Sequence, residues 1–177
     1  NYNWDKVKEN VVSFSAHNKK DDMSIVFHDE PDEKTVENLA KYNVGIASQA
    51  FEDPGRVVVN RFKSYSECLR QNTWKYVCLF DANDIYFQKN PFDWIENNIG
   101  DSSIISSSES IRYRDEVWGN QNLQESFPEF YDILKDNLIF NAGTIAGTQE
   151  GVAALAEMIY MASKYNSVYN PDQAAYN

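Results

Sequence analysis

The sequence contains little histidine, cysteine, glycine or proline, and each shortage argues against a class of protein. Only 2 of the 177 residues are histidine and 2 are cysteine, so neither a histidine-rich zinc site nor a disulfide framework is expected. The cysteines, Cys68 and Cys78, lack CxxC spacing and are predicted to be free thiols, which favours a reducing, cytoplasmic compartment but does not establish it. With 7 glycines, 5 prolines and 42% hydrophobic residues, the composition is that of one packed domain.

Positive charge is also scarce. The 16 lysines and arginines are outnumbered by 27 acidic residues, which gives a net charge of -11 and no general attraction to nucleic acid or to an anionic membrane. The most apolar stretch, residues 151–162, is interrupted by Glu157 and is too short to span a bilayer. Neither a nucleic-acid partner nor a transmembrane segment is therefore predicted for this chain.

The hydrophobic periodicity predicts alternating helices and strands. Helical spacing begins at Trp4, continues at Val36 and at Phe62, and returns after Thr148, which is a plausible N-cap. Segments of strand character lie at residues 24–27, 44–47, 75–80, 103–106 and 138–147, and residues 57–59 form a short β-branched run. Further helices are indicated at residues 127–134 and from Asn170-Pro171. This order predicts an α/β fold with a mostly parallel sheet that binds ligands at the carboxyl ends of its strands.

Two carboxylates follow the most strand-like segment. Asp81 and Asp84 come directly after residues 75–80, and close carboxylates repel unless a cation lies between them. Oxygen ligands suit hard cations such as Mg2+, Mn2+ or Ca2+, which leave sites for substrate phosphate oxygens. The pattern indicates a metal site that binds a diphosphate, with a solvated turn as the alternative. Arg61 is the preferred phosphate or nucleotide contact, with a surface arginine at a helix start as the alternative.

A run of small residues offers a second binding element. Asn141, Ala142 and Gly143 begin a segment in which a polar ligand could approach the backbone closely, and the Asn141 amide both donates and accepts hydrogen bonds. The glycine spacing does not match a GxGxxG dinucleotide loop. The segment is interpreted as a sugar-binding platform, with a glycine-bulged strand as the alternative.

Two acidic residues are candidate bases. Glu109 is an isolated acid near a predicted strand end, and Asp172 lies with Gln173 in the first turn of a predicted helix. The alternatives are solvent exposure for Glu109 and a helix-dipole partner for Asp172. GxSxG and Walker motifs are absent, so serine-hydrolase and P-loop chemistry lack support.

Four blocks, taken in order, resemble the metal-dependent glycosyltransferases of GT-A fold, the nucleotide-diphospho-sugar transferases. The blocks are residues 4–14, residues 61–69, residues 76–92 (YVCLFDANDIYFQKNPF), and residues 141–147 with Asp172, Gln173 and Asn177. The resemblance implies a Rossmann-like α/β/α sandwich in a single domain over residues 1–177. That domain is expected to lack a strand at its beginning and a closing segment at its end.

The resemblance also implies roles for individual residues. In that family an acidic DxD-type motif binds Mn2+ or Mg2+, which holds the diphosphate of a UDP- or GDP-sugar. By role, the implied residues are Asp81 and Asp84 for the metal, Asn83 for the ribose or sugar, Asn141, Ala142 and Gly143 for the donor-sugar pocket, and Asp172 and Gln173 near the anomeric carbon. Asn83 and Asp84 both remain candidates for the second motif position.

The predicted function is transfer of a sugar from a nucleotide-diphosphate sugar to a glycan or other hydroxyl acceptor. Asp172, Gln173 and Glu109 are the catalytic candidates, and the stereochemical outcome stays open. A sugar-nucleotide pyrophosphorylase and a non-catalytic carbohydrate- or Ca2+-binding module of the same fold are the alternatives, because carboxylates at a strand end indicate a metal without proving turnover.

Overall fold

A computed structural model of the protein describes residues 2–27, 29–48 and 54–177. The chain divides into two compact units, the first comprising Asn1–Pro54 and Phe80–Asn98 and the second comprising Gly55–Leu79 and Ile99–Asn177. His28, one of the two histidines, lies outside the described residues. No helix in the described ranges has both the length and the apolar character that crossing a membrane requires.

The described elements alternate along much of the chain. The helices are α1 (Trp4–His17), α2 (Glu33–Lys41), α3 (Val57–Arg70), α4 (Pro91–Asn98), α5 (Val117–Ser126), α6 (Tyr131–Leu134), α7 (Gln149–Ser163) and α8 (Asp172–Tyr176). The strands are β1 (Ser24–Phe27), β2 (Gly45–Ser48), β3 (Tyr76–Phe80), β4 (Ile104–Arg112) and β5 (Leu138–Thr148). Short 3-10 turns lie at Pro54–Arg56, Tyr113–Asp115 and Pro128–Phe130.

The first unit is built around a parallel pair of strands, β1 and β2, in which Ile25 lies opposite Ile46. Helix α1 buries Val7, Val11 and Phe14 at helical spacing in the core of this unit. Asp32 caps α2 by accepting a 2.7 Å hydrogen bond from the Thr35 N–H, which lowers the pKa of that carboxyl.

The second unit contains a three-stranded sheet in the order β3-β5-β4, with β4 and β5 antiparallel. Helices α3 and α7 pack on each other and bury Phe62, Val152 and Ile159 with residues of the sheet. Thr148 caps α7 through the Gly151 N–H, as predicted. Burial in this unit raises the pKa of the Cys78 thiol on β3 to about 12.

The α/β class and most predicted elements are confirmed, and both cysteines are free. The mostly parallel sheet is not confirmed, because β4 and β5 run antiparallel. The β-branched run at residues 57–59 begins α3, where Val59, Phe62 and Leu69 are buried on one helical face and burial outweighs β propensity.

Two further details differ from the sequence prediction. The last helix begins at Asp172 with Pro171 in the cap position, so Asn170 is not its N-cap. The helix predicted over residues 127–134 is a 3-10 turn followed by the single turn of α6. The pattern did not predict α4 or α5, whose buried residues are few: Ile95 on α4, and Gly119, Asn122, Leu123 and Ser126 on α5.

Candidate functional site

The predicted metal residues lie on an acidic turn, residues 81–84, in the first unit. Asp81 follows β3 and is half-buried, whereas Asn83 and Asp84 are exposed. Downstream of the turn, the Phe87 ring packs against Phe14 and Phe80 at centroid distances of 5.2 and 5.1 Å. The turn therefore leads into a segment that is fixed to the core of the unit.

A hydrogen bond strengthens this attachment. The Phe87 N–H donates to Ser13 Oγ at 3.0 Å, and the Ser13 hydroxyl donates to the Asn10 carbonyl at 2.9 Å. Ser13 is buried on α1, so its hydroxyl satisfies a backbone donor that water does not reach. A side chain from the first helix thus sets the path of the chain just beyond the acidic turn.

The donor chemistry of the acidic turn fits a hard divalent cation. Asp81 and Asp84 supply carboxylate oxygens and Asn83 an amide oxygen within four residues. In the described part of the chain, no group of three or more histidine, cysteine, aspartate or glutamate side chains is arranged to bind a metal. A cation at this turn would take its remaining ligands from water or substrate, which is the usual coordination of Mg2+ beside phosphates.

The remaining candidates lie in the second unit, where an interruption of the β4–β5 ladder organises them. Ser106 pairs with Ile145 and Ser108 pairs with Phe140, so the pairing skips residues 141–144 of β5. This irregularity of the ladder is referred to as the bulge, and it falls in the segment for which a glycine-bulged strand was the alternative interpretation. The bulge contains three of the predicted sugar-pocket residues, Asn141, Ala142 and Gly143.

Side chains supply hydrogen bonds to the bulge. Asn141 Oδ1 accepts the Gly143 N–H at 2.7 Å, and Gln173 Oε1 accepts the Ala142 N–H at 3.0 Å. Asn141 Nδ2 donates to Glu109 Oε1 at 3.0 Å, which brings the predicted base on β4 to the predicted sugar platform on β5. Next to Glu109, Ser110 adopts a φ of 57°, a strained conformation for a residue other than glycine.

Arg61 and Asp172 form a largely buried ion pair. Arg61 Nη2 lies 3.0 Å from Asp172 Oδ2, and the two side chains are only 16% and 7% exposed. Arg61 also lies over the Phe62 ring, 5.0 Å from its centroid. The guanidinium therefore neutralises and orients the carboxylate that precedes Gln173.

Gly147, at the far end of the sugar platform, has a packing role. A Cβ at this position would collide with the backbone carbonyl of Ser103, whose oxygen accepts the Thr148 N–H at 2.9 Å. The glycine allows this close approach of two backbone segments. Its role is therefore to let the backbone at the end of β5 approach the residue that precedes β4.

Tyr113 and Tyr176 belong to the same region, although sequence reasoning did not find them. The fully buried Tyr113 donates to the Gln173 carbonyl at 3.3 Å, and burial followed by the charge of Glu109 raises the pKa of its hydroxyl. The Tyr176 hydroxyl donates to Ser106 Oγ at 2.6 Å. No motif surrounds either tyrosine, so no sequence signal distinguished them from other aromatic residues.

Seven of the predicted residues belong to the second unit and three to the first. In the second unit, Arg61 bonds to Asp172, Glu109 and Gly143 bond to Asn141, and Ala142 bonds to Gln173. The chain neighbours Asp172–Gln173 and Asn141–Ala142 join these three groups into one network. The acidic turn, with Asp81, Asn83 and Asp84, belongs to the first unit.

No protein-family model and no curated protein sequence matches the chain.

Proposed function

We propose that the protein is a glycosyltransferase of GT-A type that moves a sugar from a UDP- or GDP-sugar to an acceptor hydroxyl with the aid of Mn2+ or Mg2+. The observation that carries the proposal is the network of the second unit. Through hydrogen bonds and chain adjacency it joins the predicted sugar-pocket residues to the candidate bases Glu109 and Asp172, to Gln173, and to Arg61, the predicted phosphate or nucleotide contact. Carboxylates and amides in such a network are groups that recognise sugar hydroxyls.

The acidic turn would bind the metal through Asp81 and Asp84. When bound, a divalent cation supplies Lewis-acid stabilisation of the leaving diphosphate. Asn83 is exposed beside these carboxylates and offers both a donor and an acceptor to a ribose or sugar hydroxyl. The acidity of the chain is compatible with this role, because bound metal would offset the repulsion between the carboxylates and an anionic donor.

The residues of the second unit would act on the sugar and the acceptor. Glycosyl transfer develops positive charge on the sugar ring, which the Asp172 carboxylate would stabilise from the position that Arg61 gives it. Glu109 is exposed and retains one carboxylate oxygen outside its bond to Asn141, so it is the proposed base for the acceptor hydroxyl.

The test is metal-dependent nucleotide binding. Thermal stability should rise when UDP or GDP is added with Mn2+, because a ligand that binds only the folded state stabilises it. The rise should disappear in Asp81→Ala and Asp84→Ala and persist in the control Asp22→Ala, which removes another exposed carboxylate of the first unit. A nucleotide shift that survives both substitutions in the acidic turn would overturn the metal assignment.

A second measurement separates turnover from binding. Slow, metal-dependent release of UDP or GDP from a nucleotide sugar is expected, and Asp172→Asn should reduce it while nucleotide binding continues. Tight Ca2+ binding without nucleotide release from any donor would indicate a non-catalytic binding module.

A further inference from the structure

Helix α8 has only five residues, yet it is attached to β5 by two side-chain amides, those of Gln173 and Asn177, one turn apart. We infer that Gln173 and Asn177 are positioning residues, which fix α8 to the backbone of β5 and thereby place Asp172. In this inference, Gln173 does not itself contact the sugar.

The contacts of Gln173 use both ends of its amide. Its Nε2 donates to the Phe140 carbonyl at 2.6 Å, and its Oε1 accepts the Ala142 N–H at 3.0 Å. The residue is buried, with 8% of its surface exposed. Both polar atoms of this buried amide therefore bond to the β5 backbone, and one N–H and one oxygen lone pair are left over.

Asn177 bonds to both backbone groups of a single β5 residue, Phe140. Its Oδ1 accepts the Phe140 N–H at 2.7 Å, and its Nδ2 donates to the carbonyls of Phe140 at 2.9 Å and Gln173 at 2.7 Å. The amide pair, Gln173 and Asn177, therefore bonds to the backbone of β5 on both sides of the point where the β4–β5 pairing begins to skip. It supplies bonds that a regular strand partner would otherwise make.

This attachment determines where Asp172 lies. Asp172 immediately precedes Gln173, and the Gln173 carbonyl is bonded by Tyr113 as well as by Asn177. Arg61 on α3 pairs with the Asp172 carboxylate. The bonds of Gln173 and Asn177 to β5 fix the helix that carries Asp172. The catalytic meaning of this placement rests on the proposed function, whereas the attachment itself is measurable without any substrate.

The experiment is amide hydrogen exchange in the whole protein, resolved at Phe140 and Ala142. Gln173→Leu should accelerate exchange of the Ala142 N–H roughly tenfold, the effect of losing one hydrogen bond, and Asn177→Leu should do the same for the Phe140 N–H. The control Gln124→Leu, at an exposed glutamine of α5, should change neither. Unchanged exchange at both amides in the matching variants would overturn the inference.

A milder variant, Gln173→Glu, keeps the inference testable if Gln173→Leu does not fold. Gln173→Glu retains an oxygen that accepts the Ala142 N–H but has no N–H for the Phe140 carbonyl. If Gln173→Leu does not fold, Gln173→Glu should remain folded, keep slow exchange at Ala142 and show a lower Tm than the wild type. A Tm equal to that of the wild type at neutral pH would contradict the Phe140 contact.

The catalytic consequence is read separately, from release of UDP or GDP. Gln173→Leu should lower kcat roughly tenfold and change the KM for the donor less than about twofold, because a positioning residue alters the placement of Asp172 and not the binding of the donor. A raised KM with unchanged kcat would show direct contact with the donor and overturn the positioning role. Failure of all turnover in the wild type, with the exchange results intact, would reject the proposed function and leave the attachment standing.

Discussion

The two units present their candidate residues in different ways. In the first unit, the acidic turn places Asp81, Asn83 and Asp84 within four consecutive residues, and the hydrophobic segment beyond it packs into the core. In the second unit, the network takes its members from α3, β4, β5 and α8. The comparison predicts that exposed residues of the turn can be changed with little effect on the fold, whereas the buried members of the network, such as Asp172 and Gln173, cannot.

The largest expected effect is the loss of Arg61. Arg61→Met leaves the Asp172 carboxylate buried without its guanidinium, which should lower the free energy of unfolding by about 3 kcal/mol. Urea unfolding followed by tryptophan fluorescence measures the change. The matched control is Arg70→Met. Arg70 forms an ion pair with Glu157 in which both side chains are about half exposed.

The control sharpens the comparison between a buried and an exposed ion pair. Arg70→Met should cost less than about 1 kcal/mol, because solvent screens the exposed pair. Equal costs for the two substitutions would mean that the Arg61–Asp172 pair does not contribute through burial.

An intermediate effect is expected where the first unit depends on a buried contact. Ser13→Ala removes the acceptor of the Phe87 N–H and should cost about 1.5 kcal/mol in unfolding free energy. Ser15→Ala, a less buried serine of the same helix, should cost less than about 0.5 kcal/mol. Faster hydrogen exchange at Phe87 in the first variant alone would assign the loss to this contact, and equal stability of the two variants would argue against it.

The smallest effect is expected at the acidic turn. Asp84→Ala should change the free energy of unfolding by less than about 0.5 kcal/mol, since Asp84 is exposed. The same urea titration measures this change. A loss above about 1.5 kcal/mol would show that the turn is part of the folding core, and the contrast between the two units would fail.

Local signals in the sequence predicted the local structure well. The periodicity from Trp4 marks α1, the β-rich residues 24–27 form β1, and Thr148 caps α7, because each of these depends on neighbours within a few positions. The valines at residues 57–59 have high β propensity and yet begin α3, because propensity ignores the partners that bury the helix.

Contacts between distant residues could not be predicted in the same way. Arg61 and Asp172 are 111 positions apart, and each has a satisfactory explanation as an isolated surface or capping residue. The pairing of β4 with β5 also joins distant residues. Its register could not be predicted from hydrophobic pattern, because β4 is mostly exposed. The roles of the small residues in the bulge follow from that register.

The second unit contains both free thiols, Cys78 on β3 and Cys68 on α3, and both are half-buried. The thiolate is the form that alkylating reagents attack, and a pKa of about 12 keeps Cys78 protonated at neutral pH while the strand is in place. Burial also raises the pKa of Cys68 on α3. Both thiols, one on a strand and one on a helix of the same unit, should therefore be alkylated more slowly at neutral pH than an unperturbed thiol.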